Sequence, residues 1–427
     1  MPNPIYRGMP LLFLLMFLFV YAGVAQGKDE ESRAEEPLNF KSALDLAFEH
    51  NPSVIEARKL IEASQGDLIT ARTLQNPEAE LEFGGFKKDA NGERNVNLDS
   101  VEIRQPFDPL GTRYLEGRMA SNQVKIQKEE FKSVWSSVYV EVRQTYSQII
   151  LRKKELELTG DNLNTMRQFF SRVQIRYQSG QALKNDFQRA KIELIKAEND
   201  YLLSQKELRT DKAKLNLLLG RSMDVEFDIE EDLREDELQV TFEELKRIAL
   251  ENRPDIKIAG LELDNRQKNL AKEQLNRLPS YFIGFKRTDE SDKDDYAVLV
   301  GVSLPLWNLN QGEVKKAKAQ KEAQLVRAEA VKNEAVFNVY DAYLTVELNQ
   351  KQLELFRKSL EEANELLRLA NLRYGEGKID FLNYLDQVRT ATQAKVNYYK
   401  ALFDLGFSVT QLEASIYSSL RQEEFLK

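Results

Sequence analysis

Between Glu313 and Tyr374 the apolar residues step by three and four. Ala335, Val339, Ala342, Val346, Leu353, Phe356, Leu360, Ala363, Leu367, Ala370 and Tyr374 form one seam, interrupted by Asn349. A seam of this period, in a stretch without Gly or Pro, predicts a single helix roughly 90 Å long with coiled-coil packing. Tyr340, Leu344, Leu348 and Leu355 fall outside the seam. The rod therefore has apolar surface for more than one neighbour and belongs to a sheaf of helices.

The chain repeats itself. Phe40-Lys41-Ser42-Ala43-Leu44 opens a short helix that breaks at Asn51-Pro52, and the next helix stops before Asn76-Pro77. Phe40, Pro52 and Pro77 recur as Phe242, Pro254 and Pro279 at one constant offset, which marks a tandem duplication. Two short segments of strand character follow in each half, about 79–86 and 98–106, then about 280–287 and 296–306. Tyr296, Val298, Val300, Val302 and Leu304 share one face of the last, while Val101 and Ile103 oppose Glu102 and Arg104 in the second. Each pair predicts a hairpin with one apolar and one wet wall, its strands joined by a polar loop, Lys87 to Asn97 or Thr288 to Asp295.

A long rod follows each hairpin and ends in similar words, Arg176-Tyr177-Gln178-Ser179-Gly180 and Arg373-Tyr374-Gly375-Glu376-Gly377. These place tip turns at about 177–183 and 374–380. In the second returning helix Leu402, Leu405, Val409, Leu412 and Ile416 again step by three and four. The expected organisation is a first repeat over 26–222, an acidic connecting segment over 223–240 outside the sheaf, and a second repeat over 241–427. At the start, Arg7 and the apolar run from Leu11 to Val20 end in Ala22-Gly23-Val24-Ala25, the pattern of an export signal over 1–25.

Composition removes several function classes. Charged residues make up 30% of the 427 positions and the formal net charge is −8, with both signs dispersed along the helices, so nucleic acid is not an expected partner. There is no Cys, which excludes disulfides, thiolate metal sites and an acylated cysteine. His50 is the only histidine, and its position near a helix end reads as surface; no metal site and no cofactor are expected. No Gly-rich phosphate loop occurs, and the carboxylates sit in helical charge patterns, so no enzyme activity is expected.

Four strands cannot close a barrel, and open edges are not tolerated in lipid. Several copies must pool their strands. Three would supply about twelve, within the range of outer-membrane barrels, and strands of about ten residues match such a membrane. Tyr281, Phe282, Phe285, Tyr296 and Trp307, near the strand ends, suit either an interfacial girdle or ordinary sheet packing.

From about Phe40 to Leu420 the chain resembles the TolC-like outer-membrane efflux proteins. The motifs that carry the resemblance are the paired Phe-to-Pro openings, Asn76-Pro77-Glu78-Ala79-Glu80-Leu81-Glu82 before the first strand, and the duplicated Arg-Tyr-x-x-Gly turns. The Asn-Pro element and the length are similar to the branch that works with heavy-metal exporters. The resemblance implies a mainly α fold with a transmembrane β part: a homotrimer with a periplasmic α-helical barrel and a 12-stranded β-barrel in outer-membrane lipid. It implies passive conduction from a periplasmic adaptor protein and an inner-membrane pump of the RND or ABC type.

The same resemblance implies site residues. Asp186 falls on a tip aspartate that in the family bonds a neighbouring protomer, and Tyr374 on its tyrosine partner. Asp386 falls on one of two acidic positions that ring the constriction. Asn383 stands where the second acidic residue would be and Ile379 where a gating arginine would be, so a single ring is expected, with Arg373 or Lys378 compensating. Gly180, Gln181, Gly377 and Lys378 lie in the turns on which the adaptor docks. Carboxylates repeated around a narrow axis attract cations. The residues alone leave alternatives: Asp186 and Asp380 are also placed to cap the returning helices, Asp386 to be solvated, and Tyr374 to pack in its seam. The rival architecture is a non-conducting periplasmic coiled-coil adaptor or tether, which the strands between the helices argue against.

Overall fold

The structure, a computed structural model, describes residues 38–84, 97–233, 235, 240–290 and 293–420. The export signal expected over 1–25 lies outside the described residues, as does most of the loop expected from Lys87 to Asn97.

Each repeat opens with two helices, α1 (Phe40–His50) and α2 (Pro52–Arg72) in the first, α5 (Phe242–Asn252) and α6 (Pro254–Leu275) in the second. Proline starts α2 and α6 at the position where its missing N–H costs nothing. The rods are α3 (Thr112–Gln178) and α7 (Gln311–Gly375), each about 100 Å long. The returning helices are α4 (Lys184–Leu218) and α8 (Phe381–Ile416).

The six longer helices form a wall one layer thick, on which α1 and α5 pack. Toward the strands the order is α2, α3, α6, α7; toward the turns it is α4, α3, α8, α7. Two apolar cores sit at equivalent places. Phe40, Ala43 and Ala47 of α1 are buried against Val138, Val142, Ile149 and Leu215; Leu245 and Ala249 of α5 are buried against Val339, Val346, Leu405 and Leu412. The seam of α7 buries Ala335, Val339, Val346, Leu353, Ala363 and Ala370, while Leu344, Leu348 and Leu355 stay exposed. Asn349, the polar break in the seam, donates from Nδ2 to Asp404 O at 3.2 Å and so ties α7 to α8.

The strands β1 (Glu78–Gly84), β2 (Asn97–Phe107), β3 (Ser280–Glu290) and β4 (Lys293–Ser303) form one antiparallel sheet in that order. The pairing of β2 with β3 joins the two repeats, leaving β1 and β4 as edges. Residues paired across the ladders share a face. Leu81, Val101, Ile103, Phe285, Ile283, Val298 and Val300 lie on one side, and Glu80, Glu82, Glu102, Arg104 and Lys286 on the other. The apolar side is open to its surroundings, with Val298 74% and Val300 72% accessible.

Two expectations need correction. The stretch from Thr288 to Asp295, read as a loop, continues the ladder through Thr288 with Asp295, Asp289 with Asp294 and Glu290 with Lys293, and β4 ends at Ser303, before Pro305. Main-chain pairing there is independent of the polar side chains. The acidic connection between the repeats is not outside the sheaf. Phe227 and Ile229 are buried in the first core, and Lys153 holds Asp228 at 2.9 Å while Lys154 holds Asp232 at 3.3 Å. The apolar residues anchor the segment, and Lys153 and Lys154 pair two of its acids.

Candidate functional site: the helical tip

Both turns at the tip are built the same way. Gln181 N donates to Arg176 O at 2.8 Å and Gly180 N to Tyr177 O at 3.0 Å; Lys378 N donates to Arg373 O at 2.8 Å and Gly377 N to Tyr374 O at 3.0 Å. This is the Schellman arrangement, which needs a left-handed residue just past the helix. Gly180 (φ 76°) and Gly377 (φ 70°) supply it.

The starts of the returning helices differ. Asp380 caps α8, its carboxylate accepting from Asn383 N at 2.8 Å. Leu183 occupies the equivalent place before α4 and makes no side-chain cap. Asp186 therefore does not cap α4; it lies exposed in the first turn, where its charge faces the positive end of the helix dipole.

Aromatic rings hold each turn. Phe187 of α4 contacts Phe170 and stacks on Tyr177 of α3, with centroids 5.5 and 5.0 Å away. In the other turn Tyr374 stacks on Tyr384 with centroids 4.6 Å apart, and Tyr384 Oη donates to Asn371 Oδ1 at 2.9 Å. Burial, followed by the neighbouring Tyr374, pushes the Tyr384 hydroxyl above its ordinary pKa. The hydrogen-bonded tyrosine of this turn is thus Tyr384, a residue the sequence reading did not single out. Its signal was its place on α8 ten residues after Tyr374 and beside Phe381.

One stripe of α8 joins the two hairpins. Phe381 stacks face to face on Phe169 of α3, Leu385 is buried with Leu163, Met166 and Ala197, and Arg389 forms an ion pair with Glu193 of α4. These residues are spaced by four, so one face of α8 carries all three contacts. Asp386 sits beside that stripe and is exposed. Arg373 is exposed, and Lys378 pairs with Glu376 at 2.6 Å. Among the described residues no hydrogen bond or ion pair joins the side chains of Asp186, Tyr374 and Asp386 within the chain.

A long one-layer wall with an open sheet at one end and two glycine turns at the other has known counterparts. The family model described as outer membrane efflux protein matches residues 43–221 and 245–416, almost the whole of both repeats. The chain belongs to the outer membrane efflux protein family. It is similar to the cobalt-zinc-cadmium resistance protein CzcC of Cupriavidus metallidurans, with 22% identity over 92% of this chain and 95% of that one. Among solved structures, the CmeC outer membrane channel of Campylobacter jejuni superposes with a TM-score of 0.77 at 14% identity, covering 91% of this chain and 90% of that one. The MtrE outer membrane channel of Neisseria gonorrhoeae, in its open state, gives 0.76 at 19% identity, with 90% of each chain covered.

As an outer membrane efflux protein, the chain is the outer-membrane channel of a tripartite efflux system. It belongs to the outer membrane, with its helical domain in the periplasm. The family is one of transport proteins rather than enzymes.

Proposed function

We propose that three copies close this wall into a tube. The open edges β1 and β4 of one chain carry the reading: edges with unpaired main-chain groups beside an exposed apolar face cannot remain open in lipid. Pairing β1 of each copy with β4 of the next gives a barrel of about twelve strands, apolar outside and lined by Glu80, Glu82, Glu102, Arg104 and Lys286 inside. The helical layer closes with it, α4 and α2 of one copy meeting α7 of the next. That contact would cover Ile192, Leu202 and Leu203 of α4 and Leu344, Leu348 and Leu355 of α7, all exposed in one chain.

The tip then gathers six turns around an axis. Gly180 and Gly377 present the main chain, and Gln181 and Lys378 their amide and ammonium groups, on which a periplasmic adaptor docks. Asp386 supplies one carboxylate per chain to a ring that favours cations, and Asp186, Tyr374 and Arg373 set how tightly neighbouring chains hold the ring closed. The pump behind the adaptor is of the RND or ABC type, and the similarity to CzcC makes divalent metal cations the first cargo to test. Cargo choice rests with the pump, because the conduit conducts without holding what passes.

Reconstitution in planar bilayers tests this reading. The protein should form heat-sensitive trimers that conduct, and Asp386→Asn should weaken block by divalent cations. A water-soluble, non-conducting rod would instead support a periplasmic tether.

A further inference from the structure

A cavity lies in the middle of the wall, where the first repeat meets the second. It has a volume of about 440 Å³ and is lined by Lys125, Lys128 and Glu129 of α3 and by Lys257, Gly260 and Leu261 of α6. Its place in the fold follows from one stripe of α3. Phe131 and Trp135 pack on Phe48 in the last turn of α1, with centroids 6.2 and 5.0 Å away, and Lys128 and Lys125 continue that stripe toward the sheet at a spacing of three. The cavity is therefore on the face that carries α1, with Lys125 roughly 20 Å along α3 from Thr112. The free edges of the wall are α2 and α4 on one side and α7 on the other, so the groove between α3 and α6 stays open.

The charge there is one-sided. Among the described residues the side chains of Lys125, Lys128 and Lys257 make no ion pair or hydrogen bond; the first two are exposed and the third is half-buried. Glu129 does not balance them, because Lys132 holds it at 2.8 Å. Nor do their own helices supply a carboxylate. Lys128 has Lys125 three residues before it and Lys132 four after, and Lys257 has Arg253 four before it, spacings at which like charges repel. Elsewhere the same spacings carry opposite charges, as in Lys59 with Glu62, Lys268 with Asp264 and Lys358 with Glu354. Three unmatched cations around one cavity, in a chain of net charge −8, attract an anion. Gly260 keeps the floor low: a Cβ there would meet nothing within 4 Å, so no neighbour in the chain requires glycine in this helix, where it costs about 1 kcal/mol against alanine.

We propose that this cavity binds a phosphate monoester of a small organic solute. A phosphoryl group carries about two negative charges at neutral pH and three acceptor oxygens, one for each ammonium, and lysine serves such groups as a point charge. The cavity is larger than a bare phosphate fills, and Leu261 with the lysine methylenes gives the organic part an apolar wall. Bound there, the ester joins α3 of the first repeat to α6 of the second.

Calorimetric titration of the whole channel, in non-ionic detergent at low salt, tests this with phenyl phosphate, inorganic phosphate and benzoate. The expected result is one saturable site per chain that takes phenyl phosphate most tightly, inorganic phosphate less and benzoate least. Lys128→Gln and Lys257→Gln should each weaken phenyl phosphate about tenfold, the loss of one charge-assisted hydrogen bond. Lys358→Gln, on α7, should leave it unchanged. Gly260→Met keeps the charge, puts a better helix former in the place of glycine and fills the cavity, so it should abolish binding with helical circular dichroism intact. Absence of saturation, equal weakening by Lys358→Gln, or full binding by Gly260→Met would overturn the site. Benzoate bound as tightly as phenyl phosphate would overturn the phosphoryl group as its ligand, and inorganic phosphate bound as tightly would overturn the ester.

Discussion

The two tip turns have the same backbone and different attachments. Each closes with the same pair of main-chain hydrogen bonds and a left-handed glycine. The α3–α4 turn is held by Phe170, Tyr177 and Phe187 from its own two helices. The α7–α8 turn is held internally by Tyr374, Tyr384 and Asn371, and is fastened to the other hairpin through Phe381, Leu385 and Arg389. The two repeats thus have equivalent turns, and the residues of α8 fasten one of them to the other helical hairpin. A movement of α7 and α8 at the tip must break the α8 stripe; a movement of the α3–α4 turn alone need not.

The largest break in this comparison is expected from Leu385→Ala. Leu385 is 4% exposed, and truncating such a side chain costs about 2–5 kcal/mol. Hydrogen exchange should accelerate over the start of α8 and over the facing parts of α3 and α4. Acceleration confined to α8 would show that the stripe does not couple the hairpins.

Gly180→Ala and Gly377→Ala sharpen the shared part. An added Cβ meets nothing within 4 Å at either site, so only the left-handed backbone is penalised, by about 1–2 kcal/mol in each. The two variants should therefore lose equal local protection. Unequal losses would show that the turns are not equivalent.

Asp380→Ala and Asp186→Ala separate a cap from a surface charge. The first removes the bond to Asn383 N and should cost about 1 kcal/mol, read as fraying of the first turn of α8. The second removes only a dipole contact worth about 0.3–1 kcal/mol and should change α4 less. Equal fraying of both helices would contradict the difference in capping.

A pH-dependent effect of similar size is expected at Tyr384. Its pKa is raised above the ordinary 10.0, so folding favours the protonated hydroxyl. That contribution is complete below the ordinary value and is lost as the pH rises through the folded one. Alkali should loosen the α7–α8 turn before the α3–α4 turn. Tyr384→Phe, which gives up one hydrogen bond worth about 0.5–1.5 kcal/mol, should abolish this alkaline step. Persistence of the step in the variant would assign it to another group.

Local signals made much of this fold legible in the sequence. Asn51-Pro52 and Arg253-Pro254 divide helices where proline cannot continue them, and the Arg-Tyr-x-x-Gly words mark turns because left-handed backbone favours glycine. The far end of the β3–β4 ladder was not legible. Asp289, Asp294 and Asp295 carry no hydropathy alternation, although their main chains pair as well as any others. In the acidic connection the alternation of Phe227 and Ile229 with Asp228 and Glu230 was present but outweighed by charge. At the tip, counting from the glycines located Asp186, Tyr374 and Asp386, while the α8 stripe needed a different question. Phe381, Leu385 and Arg389 face one way, and only the fold shows that α3 and α4 lie there.

The central claim is that one chain is an unfinished wall whose edges β1 and β4 pair between copies. A chain without cysteine permits a direct test: Leu81→Cys is combined in turn with Val298→Cys, Val300→Cys and Val302→Cys, and each membrane-inserted protein is oxidised. The account predicts one register at which disulfides form between chains and the products stop at a covalent trimer. Monomers at every register, or a ladder running past three copies, would contradict it.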